Sequence, residues 1–243
     1  MIAAAGTLAL VLALLAQGAT AQTPDDAPPA PAYAGSSVCV GCHAAQGAQW
    51  QGSHHAQSMQ VANAQTVLGD FNDVRFEHQG QTTRFYRRDD GYWVQTEGAD
   101  GQSAPFRISH TFGVFPLQQY LIRFDDGRLQ ALGIAWDARP RTQGGQRWFA
   151  LYPQRIAPGD PLHWTGRDQN WNFMCASCHS TGVQRRYDGA RNRFDTRWAE
   201  IDVACESCHG PGDRHVVLAR AGRAAKGAGS GLVTRFDATA RQV

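Results

Sequence analysis

All six cysteines of this 243-residue chain fall in three copies of one five-residue pattern: Cys39-Val40-Gly41-Cys42-His43, Cys175-Ala176-Ser177-Cys178-His179 and Cys205-Glu206-Ser207-Cys208-His209. The spacing dictates a chemistry. Two thiols separated by two residues reach the two vinyl groups on one edge of a porphyrin, and the next residue lies under the ring with an imidazole for the iron. A structural zinc site uses cysteine pairs but has no need of a histidine after each. A thioredoxin-like dithiol occurs once, beside a βαβ pattern. The sequence therefore predicts three covalently attached haem c groups, on Cys39 and Cys42, Cys175 and Cys178, and Cys205 and Cys208, with His43, His179 and His209 as proximal iron ligands. Three such groups supply much of a core, so the surrounding helices can be short and the loops irregular.

Haem attachment of this kind belongs outside the cytoplasm, and the N-terminus agrees with that. Residues 1–21 carry no charge, Leu8 to Ala16 form an apolar run, and Ala19-Thr20-Ala21 is a small-x-small cleavage site. This reads as a signal peptide cut before Gln22, and as a periplasmic or otherwise exported protein. The run is shorter than the ~20 residues of a membrane span, so no stable span is expected after cleavage. Residues 22–35 form a Pro/Ala linker. The net charge is +2, from 23 basic and 21 acidic residues without a basic stripe, which argues against a nucleic-acid partner. A hydrophobic share of 42% excludes a disordered chain.

The second axial ligand is the harder assignment. Six histidines lie outside the motifs, at 54, 55, 78, 110, 163 and 215, whereas the mature chain offers only Met59 and Met174. Met174 abuts Cys175 and is poorly placed for its own iron; Met59 reads as core. Bis-imidazole ligation is thus favoured, and it lacks the thioether that raises potential. His55 is the first distal candidate, on a stretch from Ala44 to Gln60 that reads as helical. His54 points about 100° away on such a helix. His215 follows Gly210-Pro211-Gly212, a turn that lets the chain fold back over a neighbouring haem. His163, between Pro161 and Trp164, is the third candidate and His110 the fourth. His78 reads as an exposed strand residue.

Between Asp73 and Pro153 the pattern changes to period-2 alternation. Val74–Glu77, Thr83–Tyr86, Tyr92–Thr96, Tyr120–Phe124, Leu129–Leu132 and Trp148–Tyr152 read as strands, with turns at Gln79-Gly80, Asp89-Asp90-Gly91 and Asp125-Asp126-Gly127. The expected fold is mostly α, with irregular loops packed around haems, plus an inserted small antiparallel β-sheet. The domain runs over 36–215 with its β-rich insertion at about 73–153, and 216–243 form a tail. Arg185, Arg186, Arg191, Arg193 and Arg197, between the second and third motifs, read as a solvated loop or as partners for haem propionates.

The flanks of the motifs carry a family resemblance. Gly35-Ser36-Ser37-Val38 through Trp50 and Gly52–Ala56, Trp171-Asn172-Phe173-Met174 through Gly182, and Cys205 through Val216 are similar to multihaem c-type cytochromes, in particular the bacterial branch often fused to tetratricopeptide repeats. Thr111–Leu121 and Trp164–Arg167 resemble that branch too. The resemblance implies a multihaem cytochrome fold related to the tetrahaem cytochromes of ammonia oxidisers. It implies His55 and His215 as distal ligands. It also implies further motifs and repeats, which this chain lacks, so a truncated chain or a short paralogue is expected.

Three functions follow as expectations. The first is single-electron transfer among redox partner proteins, with no catalytic residues of its own. The second is a haem enzyme with one five-coordinate iron, acting on nitrite or hydroxylamine. The third is a haem-based sensor module. The first is preferred, because six spare histidines make full coordination feasible.

Overall fold

A computed structural model describes residues 32–225 and 227–234. The signal peptide expected at 1–21, most of the 22–35 linker and the end of the tail lie outside the described residues.

The alternating segments form one large antiparallel sheet. Its strands are β1 (Met59–Val61), β2 (Val74–His78), β3 (Gln81–Arg88), β4 (Gly91–Glu97), β5 (Ser103–Phe112), β6 (Leu117–Arg123), β7 (Leu129–Ala131), β8 (Ile134–Asp137) and β9 (Arg147–Ala150). They run in the order β2-β3-β4-β5-β6-β8-β9, with β1 added to β5 and β7 to β6. The turns do what their residues require. Gln79 and Gly80 both have positive φ, at 49° and 77°, closing the β2–β3 hairpin with the twist of a type I′ turn. Asp89 and Asp90 close β3 onto β4, pairing Arg88 with Gly91. A bulge between Ile108 and His110 bends β5; there the Ser109 hydroxyl donates to the Leu121 carbonyl at 3.0 Å. Strands β2 and β9 come into contact, so the sheet is nearly closed and barrel-like.

This corrects the fold class. Among the described residues strand outweighs helix, 30% against 22%, and the sheet is neither small nor an insertion in a helical body. Its hairpins stand where the alternation put them, but β5 and β8 extend it and β1 reaches outside 73–153. The helical reading of Ala44–Gln60 fails after Gln51. There Gly52-Ser53 turns the chain, and Met59–Val61 becomes strand, paired Met59 to Phe112 and Val61 to His110.

Two apolar clusters hold the fold. The larger fills the barrel: Phe85 stacks on Trp148 at 3.6 Å, and Phe71 meets Phe85, Tyr92, Tyr120 and Trp148 edge-on. Edge-to-face pairs of this kind add roughly 0.5–1.5 kcal/mol each to their area burial. The smaller joins Met59, Leu121, Leu129, Ala131, Trp171 and Ala176, fastening the second motif to the back of β6 and β7.

The motifs themselves are carried by very short helices: α1 (Ser36–Cys42), α2 (Ala44–Gln51), α3 (Trp171–Met174), α4 (Ala176–His179), α5 (Cys205–His209) and α6 (Asp213–Arg220). Isolated helices below about 12 residues are marginal in water, so these depend on caps and long-range contacts. The Asn170 side chain caps α3 by accepting from Phe173 N at 3.1 Å. Glu200 holds the start of α1, accepting from Ser36 N and Ser36 Oγ at 3.0 Å each.

Candidate haem-attachment site

The three motifs share a local geometry. In each, the first cysteine is half-buried and the second exposed. Burial, with the neighbouring Cys205 thiol adding to it, pushes Cys39 up to about 11. Burial does the same to Cys175, also to about 11. A reactive redox dithiol needs the opposite, a thiol held well below its ordinary value, and neither Cys39 nor Cys175 is held so. Among the described residues no group of three or more His, Cys, Asp or Glu side chains could hold a metal ion by itself. An iron in a porphyrin asks the chain for only one or two axial ligands.

Motifs 1 and 3 face each other. Cys39, His43, Cys205 and His209 all line two adjoining cavities. The larger, about 450 Å³, has His43 and His215 in its wall, with Cys42, Glu206, Val216 and Arg220 around them. The two imidazoles stand 6.2 Å apart, centre to centre, with planes 25° from parallel. An imidazole nitrogen about 2.0 Å from a metal would set two rings on opposite sides of it roughly 6 Å apart, and the spacing of this pair matches that value. The smaller cavity, about 210 Å³, is lined by His55 and Trp50 together with Cys205, Cys208 and His209. His55 is brought there by backbone pinning. Trp50 Nε1 donates to the Val203 carbonyl at 2.9 Å, and Val203 N donates to the His55 carbonyl at 3.3 Å. His54 turns instead to Phe115, 5.8 Å away.

Motif 2 is tied to motif 3 through buried hydroxyls. Thr181 Oγ1 accepts from Ala204 N at 2.9 Å, donates to the Asp202 carbonyl at 2.7 Å and lies 2.6 Å from Ser207 Oγ. Ser58 Oγ donates to the His179 carbonyl at 3.2 Å and accepts from Val203 N at 3.1 Å. The ring against His179 is Phe112, at 4.3 Å. Burial pulls the His179 imidazole below its ordinary value, and its Nδ1 is buried with no hydrogen-bond partner.

The remaining histidines go elsewhere. His163 is held in a cavity at the barrel, with its Nδ1 2.8 Å from Thr165 Oγ1 and its Nε2 3.9 Å from Glu97 Oε2. No motif cysteine lines that cavity. His110 is buried on β5, its Nδ1 2.9 Å from Ser109 Oγ and its ring edge-on to Trp198. His78 shares the His163 cavity and is half-buried, not exposed. Met59 is fully buried in the core. The arginines between motifs 2 and 3 belong to a small hairpin of β10 (Tyr187–Asp188) and β11 (Arg193–Phe194), where Arg186 and Arg197 pair with Asp195 and Arg191 pairs with Asp188.

Three residues that matter here were not singled out from the sequence: Thr181, Phe112 and Glu206. Only Glu206 carried a signal, an acidic residue in the two-residue gap between attachment cysteines; in the fold it is 3% exposed. Among the described residues no helix is long and apolar enough to cross a membrane.

Residues 38–86 and 162–210 match the family model described as cytochrome c554 and c-prime. Together these segments contain all three motifs, His55 and His163. No curated protein and no solved structure matches the chain.

Proposed function

We propose that the chain is an exported c-type cytochrome that binds three haem c groups covalently for single-electron transfer, and that two of its motifs exchange distal ligands; the match of residues 38–86 and 162–210 to the cytochrome c554 and c-prime family model supports this reading. In this reading His215, which follows motif 3, completes the iron of motif 1 opposite His43. His55, which follows motif 1, completes the iron of motif 3 opposite His209. The observation that carries it is the His43–His215 pair, at 6.2 Å and 25° across a cavity bordered by Cys39 and Cys42. The haem supplies a one-electron ferric/ferrous couple, and bis-imidazole ligation keeps its potential low. The chain's part is to hold paired imidazoles at fixed spacing and to bring the attachment cysteines of motifs 1 and 3 side by side. His163 lies with Glu97 and Thr165 in a cavity that no motif cysteine lines, which supports leaving it out of this exchange.

Motif 2 supports a second reading. The ring against His179 is that of Phe112, and among the described residues no imidazole is stacked on it. A haem there with an open position would bind a small ligand, as a haem enzyme or sensor requires. One set of measurements on the mature protein tests both readings. Intact mass after mild denaturation counts the haems, and three are expected. Low-spin ferric signals from two haems support the exchange. A third, high-spin haem that binds carbon monoxide when reduced favours the second reading for motif 2. A colourless protein of polypeptide mass refutes both.

A further inference from the structure

We propose that Glu206 is a positioning residue for the axial pair of motif 1, and that its buried carboxylate holds the reduction potential of that iron down. This rests on the ligand exchange proposed above. Glu206 sits on α5 inside motif 3, yet its hydrogen bonds go elsewhere. Its Oε1 accepts from Ala34 N at 2.8 Å and from Gly212 N at 2.6 Å, and its Oε2 accepts from Gly35 N at 2.8 Å. Ala34 and Gly35 lead straight into α1, whose end is followed directly by His43. Gly212 leads into α6, which carries His215. One carboxylate therefore fixes the start of both elements that bring the two imidazoles together.

The same side chain lines the cavity between those imidazoles. Its three partners are neutral amides, which stabilise the carboxylate without cancelling its charge. A fixed negative charge beside a haem stabilises the more positive ferric state over the ferrous one, and the effect is large where water is excluded. Arg220 borders the cavity too, but removing Glu206 alone still shifts the balance toward the reduced iron.

The test is a spectroelectrochemical titration of the mature, haem-loaded protein with the spin state of each haem followed in parallel. In Glu206→Gln one haem is expected to become about tenfold easier to reduce, an upward shift of about 59 mV for a one-electron couple, with smaller shifts at the others. Glu206→Asp keeps the charge and shortens the reach. Its midpoint should return close to that of the wild type, while a high-spin fraction appears at the same haem. A purely structural role would move the spin state in both variants and leave the charge-dependent difference in potential absent. Unchanged midpoints in Glu206→Gln, or an equal upward shift in Glu206→Asp, would overturn the proposal. Should Glu206→Gln fail to mature, the Asp variant decides: a high-spin fraction with a held midpoint supports the proposal, and an unchanged spin state overturns it. If the wild type itself has no low-spin haem, the ligand exchange is what fails. A low-spin wild type whose midpoints ignore the Gln substitution defeats this proposal alone.

Discussion

His215 and His55 reach their cavities by different means, the first on a helix and the second on a pinned turn, and each is open to a single-residue test. His215→Ala should turn one haem high-spin, and His55→Ala a different one, with the double variant showing both changes by electron paramagnetic resonance. Unchanged spectra in either single variant would refute that assignment. His110 gives a pH prediction of another kind. Burial, with Arg123 adding to it, pulls its value down to about 4, so the folded state holds it neutral while the unfolded chain, near 6.5, takes up a proton. Its contribution is therefore intact above pH 6.5 and is lost as the pH falls towards 4, on the order of 3 kcal/mol at most. Denaturant midpoints should fall across that window in the native protein and flatten in His110→Gln. Residues differ in how legible they were. The candidate attachment cysteines and proximal histidines announce themselves within five positions. The sequence also names His55 and His215 as distal candidates, but not the motif each would serve, because the approach of His215 to His43 is a contact between opposite ends of the domain. His163 attracted the same argument, and only the fold reveals that Glu97 lies beside it.

At the scale of elements, the link between motifs 2 and 3 is a hydroxyl network around one fully buried threonine. Thr181→Val keeps the shape and deletes three polar contacts, leaving Ala204 N without its acceptor. A buried donor left unpaired costs about 1–3 kcal/mol, so the variant should unfold at correspondingly lower denaturant concentration; a loss below a few tenths would show the network to be slack. The strands were readable where turn residues bounded them, as at Gln79-Gly80 and Asp89-Asp90. They were not readable where a local signal pointed the other way. Pro105 weakens the strand pattern of β5, although Ala104, Phe106 and Ile108 alternate correctly around it. The stretch after Gln51 carried helical spacing, but Gly52-Ser53 and the pairing of Met59–Val61 with β5 outweighed it. The helices that do form are so short that capping side chains, and not periodicity, decide them.

At the scale of the whole molecule, the mostly α expectation failed because it let haems stand in for a protein core. The barrel has its own. The cluster around Phe71, Phe85, Tyr120 and Trp148 includes no motif residue, so the sheet does not depend on the prosthetic groups for its apolar contacts. Replacing all six cysteines by alanine should give a colourless protein that keeps its β-type far-ultraviolet circular dichroism and the aromatic near-ultraviolet signal of the stacked Phe85 and Trp148. Loss of both signals would show that the haems are needed to organise the sheet. The placement of His215 has a consequence for biogenesis. On the proposed export, a polypeptide leaving the cytoplasm N-terminus first would expose Cys39, Cys42 and His43 early, while His215, the sixth ligand proposed for a motif 1 iron, would still be inside, with the entire barrel yet to emerge between them. A haem joined to motif 1 during translocation would spend that interval with one coordination position vacant, so nascent and finished protein should differ in colour.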